Sequence, residues 1–112
     1  MFTSKSFQWS NLHAGDCTLD LARLILYPDG HGEWHANVWS NSNDDSWGAK
    51  GINLYDGNRN YLYTITEFWS PTLPNGPQGT VAGNDLFWNN YNIHFPYQIY
   101  NNIAGASLIS HC

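Results

Sequence analysis

Turn-forming residues interrupt this chain about every ten residues, and that spacing constrains the fold more than any other feature. Clusters of Gly, Pro, Asn, Asp and Ser end each apolar segment after a few residues. No window longer than a turn or two of helix has an apolar period of 3.6 residues. We therefore predict an all-β fold in which about eight short strands form a single-domain antiparallel sandwich or a small closed barrel. A chain of 112 residues suits one domain, residues 1–112, with a single core.

The first hairpin can be placed from its turn. Pro28-Asp29-Gly30 follows the apolar run from Ala22 to Tyr27, and a three-residue turn there closes on Tyr27 and His31. The pairs that follow are Ile25 with Glu33, Leu24 with Trp34, Arg23 with His35, and Ala22 with Ala36. Because side chains alternate along a strand, the face opposite the core is largely polar. It carries Arg23, Ile25, Tyr27, Glu33, His35, Asn37 and Trp39.

The other strands follow from the same turn signals. A second hairpin is predicted to turn at Asp56-Gly57-Asn58. Further strands are predicted at Phe2 to Trp9, Trp47 to Tyr55, Tyr61 to Phe68, Leu86 to Trp88, Asn92 to Phe95, Gln98 to Asn102 and Ser107 to His111. The proline- and glycine-rich stretch from Trp69 to Asp85 is predicted to be a loop. The expected core residues are Leu24, Leu26, Trp34, Val38, Ile52, Leu54 and Leu62.

The charge of the chain argues against several classes of partner. Nine Asp or Glu oppose four Lys or Arg, which gives a net charge of −5, so no basic patch is available to bind nucleic acid or an anionic membrane. No apolar run approaches the roughly 20 residues that a spanning helix needs, so we expect no membrane insertion. The N-terminus lacks the features of a secretion signal, which leaves either a removed leader or synthesis without one.

Cys17 and Cys112 are the two cysteines of the chain. As a disulfide they would close a loop of about a hundred residues and stabilise the fold by about 4 to 5 kcal/mol on the chain-entropy model. As free thiols they would be inert groups in a cytosolic protein. These residues alone leave both alternatives open.

Short motifs lie in the first half of the chain and at its end: Phe7-Gln8-Trp9, Ala14-Gly15-Asp16-Cys17-Thr18, Leu26-Tyr27-Pro28-Asp29-Gly30 with Gly32, Asp44-Asp45-Ser46-Trp47, Leu54-Tyr55-Asp56-Gly57, and Ser107-Leu108-Ile109-Ser110-His111-Cys112. Together they resemble a family of small bacterial proteins catalogued as a domain of unknown function. The resemblance covers roughly the first sixty residues and the last six. It implies an extracytoplasmic setting and pairing of Cys17 with Cys112, and it transfers no catalytic residue.

The polar face of the first hairpin groups several candidate site residues. Arg23 lies across from His35 and diagonal to Glu33, and Asn37 and Trp39 lie farther along the same strand as His35. These groups can bind hydroxyls through charge-assisted hydrogen bonds, or act as an acid and a base in a pocket. The alternative is a solvated sheet face with a cross-strand ion pair worth about 0.2 to 1 kcal/mol.

We predict no metal site and no cofactor. His31, Glu33 and His35 share a face, but at about 3.3 Å per residue they span about 13 Å, which is too far for one ion. Residues 41–46 carry oxygen ligands that suit calcium, but the distal bidentate Glu is missing, so an Asx-rich turn is expected.

Aromatic and amide side chains are abundant, with six Trp, seven Tyr and fourteen Asn. A flat ring can pack on the apolar side of a sugar while neighbouring amides bond to its hydroxyls. The other candidate binding residues are therefore Trp69, Trp88, Asn89, Asn90 and Tyr91.

We expect a non-enzymatic carbohydrate-binding (lectin-like) protein, extracellular or secreted, that binds a neutral glycan or another hydroxyl-rich small molecule. No catalytic residue can be assigned, because the chain has no nucleophile motif. Affinity at a single site would be weak, so several sites or a homo-oligomer are expected to provide multivalency.

Two other functions fit the sequence. One is a small β-barrel enzyme or ligand carrier with an internal cavity near Arg23, Glu33 and His35, and the other is a secreted toxin-like or interaction protein. A closed cavity of about 300 Å³ or more favours the enzyme or carrier, whereas a shallow external groove lined by Trp and Asn favours carbohydrate binding.

Overall fold

A computed structural model of the chain describes residues 3–15, 17–40, 46–70 and 86–112. These residues form nine strands and one 3₁₀ helix, which spans Tyr97–Asn102. The strands are β1 (Lys5–Trp9), β2 (Leu12–Ala14), β3 (Cys17–Leu26), β4 (His31–Ser40), β5 (Gly48–Tyr55), β6 (Tyr61–Ile65), β7 (Phe68–Trp69), β8 (Leu86–His94) and β9 (Gly105–His111). Within the described ranges, no helix has the length and apolar character needed to span a bilayer.

The strands form two antiparallel sheets that pack as a sandwich. The five-stranded sheet has the order β1-β3-β4-β8, with β2 paired to the first part of β3. In the four-stranded sheet, β5 pairs with β9 along its length and with β6 and β7 at its two ends. The all-β prediction is confirmed. Of its two architectures, the described strands form the sandwich and not a closed barrel.

The first hairpin forms as its turn predicts. The Tyr27 backbone N–H donates to the His31 carbonyl over 2.9 Å, and Gly30 has a φ of 92°, which a residue without a Cβ adopts readily. Arg23, Leu24 and Ile25 pair with His35, Trp34 and Glu33, respectively, as expected.

The expected pair of Ala22 with Ala36 is wrong, because a β-bulge interrupts the hairpin between Asp20 and Arg23. Leu21 and Ala22 together occupy the space opposite Ala36. Leu21 adopts a φ of 55°, and its N–H donates to Oδ1 of Asp20 over 2.9 Å. The bulge turns the Leu21 side chain into solvent and bends the strand.

Three other strand predictions need correction. The segments predicted at Leu86 to Trp88 and Asn92 to Phe95 merge into the single strand β8, which ends at His94 and pairs with β4 despite its run of asparagines. The stretch from Tyr61 to Phe68 is divided between β6 and β7. Residues 98–102 form the 3₁₀ helix, because Pro96 precedes them and its carbonyl accepts the Ile99 N–H. Phe2 and residues 71–85 lie outside the described residues.

The core lies between the two sheets. Six of the seven predicted core residues have no exposed surface: Leu24, Leu26, Trp34, Val38, Ile52 and Leu54. The seventh, Leu62, is half-buried against them. Trp34 is at the centre of an aromatic cluster, with ring centroids 5.9 Å from Trp9, 5.6 Å from Phe68 and 5.5 Å from Trp88. Phe68 comes from the four-stranded sheet, so this cluster joins the two layers.

A disulfide links Cys17, the first residue of β3, to Cys112, which follows β9. The two Cα atoms are 5.9 Å apart. Because β3 and β9 belong to different sheets, the bond ties one end of the sandwich together. The pairing implied by the family resemblance is therefore confirmed.

Candidate functional site

A row of polar side chains crosses the outer face of the five-stranded sheet. Gln8 pairs with Arg23, Arg23 with His35, and His35 with Asn89, so the four residues lie side by side on four adjacent strands. Residues directly opposite each other in antiparallel strands point to the same side of the sheet. Leu24, the neighbour of Arg23, is buried in the core, so this polar row faces outward.

His35 is held on both sides within the polar row. Its Nδ1 lies 2.6 Å from Oδ1 of Asn89, and its Nε2 lies 3.3 Å from Oε2 of Glu33. The Tyr91 ring meets the imidazole edge-on at a centroid distance of 5.5 Å. Both ring nitrogens can donate only when the ring is an imidazolium. In a neutral ring whose proton is on Nε2, facing Glu33, Nδ1 is an acceptor, and the Asn89 amide must turn its NH₂ group toward it. The three contacts fix the plane of the ring in either state.

Glu33 interacts with Tyr27 as well as with His35. Partial burial, followed by the charge of Glu33 and a hydrogen bond to its side chain, raises the pKa of the Tyr27 phenol, while the charge of Arg23 opposes the rise. The ion pair of Arg23 with Glu33, considered from the sequence, is not formed. Among the described residues, the group within ion-pair distance of Glu33 is the His35 imidazole.

An open groove of about 670 Å³ lies beside the polar row. It is lined by Gln8, Trp9, Ser10, Asp20, Leu21, Ala22, Arg23 and His35. The β-bulge shapes one wall, where Leu21 is 68% exposed, and the end of β1 borders the groove at Trp9, whose ring packs on the core side against Trp34. The groove is external, since Gln8, Leu21 and Arg23 are all exposed. It combines amide, carboxylate, guanidinium and imidazole groups.

A family of unknown function, DUF6294, has a sequence model that matches residues 23–112, which is well over half of the chain. The chain belongs to this family. The match to DUF6294 includes the middle of the chain, which the motif resemblance left out, and it begins after Cys17. No curated protein and no solved structure matches the chain.

The DUF6294 match includes all ten residues predicted from the sequence to bind a ligand, but the structure brings only some of them together. Arg23, His35 and Asn89 are in the polar row, and Glu33 and Tyr91 contact His35. Five of the ten therefore form one connected group at the outer face.

The other five are placed differently. Asn37 and Trp39 continue along β4 but are buried, with 5% and 7% of their surfaces exposed. Trp88 is buried against Trp34 in the core, so its ring is not offered to solvent. Asn90 is half-buried, and its Oδ1 accepts the Asn92 backbone N–H over 2.9 Å.

Trp69 lies on the other sheet of this DUF6294 protein, in β7. Its ring covers Gly48 so closely that a Cβ there would come within 2.5 Å of ring carbons. The Lys50 ammonium is 5.3 Å from the ring centroid, and 43% of the Trp69 surface is exposed. This indole is separate from the polar row.

Gln8, Trp9 and Asp20 line the groove and are missing from the candidates named from the sequence. Gln8 and Trp9 reach the groove through the pairing of β1 with β3, for which no turn signal exists because β2 intervenes.

No group of three His, Cys, Asp or Glu side chains in the described part of this DUF6294 chain is arranged to hold a metal ion. Residues 41–45, which contain the acids of the calcium-like stretch, lie outside the described residues.

Proposed function

We propose that this chain is a non-enzymatic carbohydrate-binding protein and that a sugar ring binds in the groove beside the polar row. The observation that carries this proposal is the groove itself. Its volume of about 670 Å³ falls within the range of pockets for small ligands, about 300 to 1,000 Å³. Its lining places donors and acceptors within reach of one hydroxyl-rich molecule.

The side chains of the polar row match the chemistry of sugar hydroxyls. Gln8 offers an amide with both donors and an acceptor, Asn89 offers the NH₂ group of an amide whose Oδ1 faces His35, and Arg23 offers only donors. Each hydroxyl both donates and accepts, so a mixed set of partners is required. Tyr91, which is exposed beside His35, adds ring surface at one end of the row, where the apolar side of a sugar can pack.

The expected affinity at one site is low. A shallow groove buries one side of a sugar, and the favourable free energy from such a contact is a few kcal/mol, which corresponds to dissociation constants of about 1 mM or somewhat lower. Useful binding therefore requires several sites, and a homo-oligomer is one way to provide them.

An enzyme is the second candidate because Glu33 and His35 form a carboxylate–imidazole pair, the usual components of acid–base catalysis. Glu33 is not among the residues that line the groove. This arrangement favours a role in orienting His35. Binding without turnover is therefore the proposal that we develop.

An extracellular setting fits the proposal, because disulfides persist in oxidising compartments and this protein has one between Cys17 and Cys112. A secreted protein that acts on another cell's surface would use the same groove, so the toxin-like alternative predicts the same binding residues.

A glycan array, run with and without a chelator, tests the proposal, followed by calorimetry with the best ligand. Gln8→Ala and Asn89→Ala should each weaken binding several-fold, since a hydrogen bond contributes about 0.5 to 1.5 kcal/mol. Gln98→Ala and Asn101→Ala are matched controls, because both residues are exposed on the 3₁₀ helix away from the groove. The absence of glycan binding, or an equal loss in the controls, would refute the proposal.

A further inference from the structure

Arg23 differs from the two lysines because no hydrogen bond or ion pair holds its guanidinium among the described residues. Lys5 donates to the carbonyls of Tyr100 and Ile103 at 2.7 Å each. Lys50 lies 3.9 Å from Glu67 and stacks over Trp69. Within the described ranges, Arg23 makes neither a hydrogen bond nor an ion pair through its guanidinium. Its five N–H donors are therefore available to a ligand.

The acids near Arg23 contact other groups. The Glu33 carboxylate faces Nε2 of His35 over 3.3 Å. Asp20 lines the same groove, but its Oδ1 accepts the Leu21 N–H and holds the β-bulge. No ion pair joins Arg23 to either carboxylate among the described residues. The guanidinium thus lines an open groove without an ion-pair partner among the described residues.

We infer that the sugar bound in this groove carries a carboxylate and that Arg23 binds it. This inference rests on the proposed function and makes its ligand more specific than the neutral glycan expected from composition. The planar guanidinium presents two parallel N–H groups that match the two oxygens of a carboxylate, and such charge-assisted pairs are stronger than neutral hydrogen bonds.

The neighbours of Arg23 can bind the rest of the same sugar. Gln8 and His35 lie on the adjacent strands in direct register, and adjacent strands are about 4.8 Å apart. A ring whose carboxylate contacts Arg23 can therefore place a neighbouring hydroxyl against either residue. The Asp20 carboxylate in the groove is suited to accept from a further hydroxyl.

The inference concerns one carboxylate and not a polyanion. The chain carries a net charge of −5, and Asp20 adds a negative charge to the groove lining. A single guanidinium can offset one ligand charge, whereas a sulfated or phosphate-rich polymer would meet repulsion beyond it. Heparin and nucleic acid are therefore expected to bind more weakly than a monocarboxylated sugar.

The test compares each acidic glycan on an array with the same glycan after conversion of its carboxyl to the amide. The wild-type protein should bind the acid at least about tenfold more tightly, and this preference should weaken as salt increases. Arg23→Gln should bind both forms equally. Arg23→Lys should retain only part of the preference, because an ammonium lacks the planar fork. Arg59→Gln is the matched control, since Arg59 is exposed at the turn before β6.

The possible results distinguish the carboxylate inference from the proposal that the groove binds a glycan. Equal binding of acid and amide by the wild type would overturn the carboxylate inference and leave glycan binding in place. Failure of every glycan to bind would overturn both. Tight heparin binding, or an undiminished acid preference in folded Arg23→Gln, would also overturn the inference. If Arg23→Gln did not fold, the relative binding of the acid and the amide to Arg23→Lys and to the wild type would still test the inference.

Discussion

Breaking the disulfide between Cys17 and Cys112 should remove a large part of the stability of this protein. The bond joins residues 95 positions apart, so it closes a loop that contains most of the chain. On the chain-entropy model, a loop of about a hundred residues corresponds to about 4.7 kcal/mol of stabilisation. Domains of this size unfold with about 5 to 15 kcal/mol. We therefore expect a third or more of the unfolding free energy to be lost.

Three variants separate the cross-link from side-chain packing: Cys112→Ala, Cys17→Ala and the double variant. Each single change breaks the same bond, so each should cost about 4 to 5 kcal/mol, and the double variant only slightly more. Cys112→Ala is the cleaner measurement, because Cys112 is half-exposed whereas Cys17 is completely buried and leaves a cavity.

Urea unfolding followed by tryptophan fluorescence provides the free energies, with and without a reducing agent. Reduction should destabilise the wild type by a similar amount and leave the double variant unchanged. A loss below about 1 kcal/mol for Cys112→Ala, with additive costs in the double variant, would refute the argument that this bond restrains the unfolded chain.

Three further predictions concern the turns and the core. Gly30→Ala should lower the free energy of unfolding in urea by about 2 to 4 kcal/mol. Residue 30 has a φ of 92°, and a Cβ there would lie 2.6 Å from the Phe95 carbonyl oxygen. A loss below about 1 kcal/mol would contradict this. Trp88→Ala should lower the free energy of unfolding by about 3 to 5 kcal/mol, and Trp69→Ala should lower it clearly less. Equal losses in the two variants would mean that the Trp88 ring is not part of the core. Hydrogen bonds from the Asn60 backbone N–H, then from the Asn60 side chain and the Asn58 N–H, lower the pKa of Asp56 from its ordinary value of 3.8. The stability of the wild type relative to Asp56→Asn should therefore be constant above about pH 5 and fall toward about pH 2, and a rise toward acid pH would contradict it.

The features that the sequence predicted correctly depend on local interactions. The turn at Pro28-Asp29-Gly30 sets the register of the first hairpin, and alternation from that turn places Arg23 and His35 across from each other. The same local logic identifies the second hairpin and the core side chains of β4 and β5. Prediction fails in this hairpin where Asp20 bonds to the Leu21 N–H and inserts a bulge, because no turn residue marks that position.

The parts of the site that could not be predicted depend on long-range pairing. Gln8 joins the row through β1 and Asn89 through β8, and β8 is far from β4 along the chain. The sequence makes Asn89 a candidate because the chain is rich in aromatic and amide side chains, and it does not predict that Asn89 lies near His35. The partner of Glu33 also depends on competition among neighbours, and His35 contacts its carboxylate while Arg23 does not.

Competition between the core and the surface explains why composition was an incomplete guide to the site. Four of the six indoles are buried, namely Trp34, Trp39, Trp47 and Trp88. A domain of this size has few other residues large enough to fill the space between two sheets, so burial of the rings is favoured over their exposure. Amide and charged side chains are costly to bury without partners and collect on the outer face instead. In a small β-sandwich, the polar side chains that share a register across several strands are therefore a better basis for proposing a binding site than the number of tryptophans.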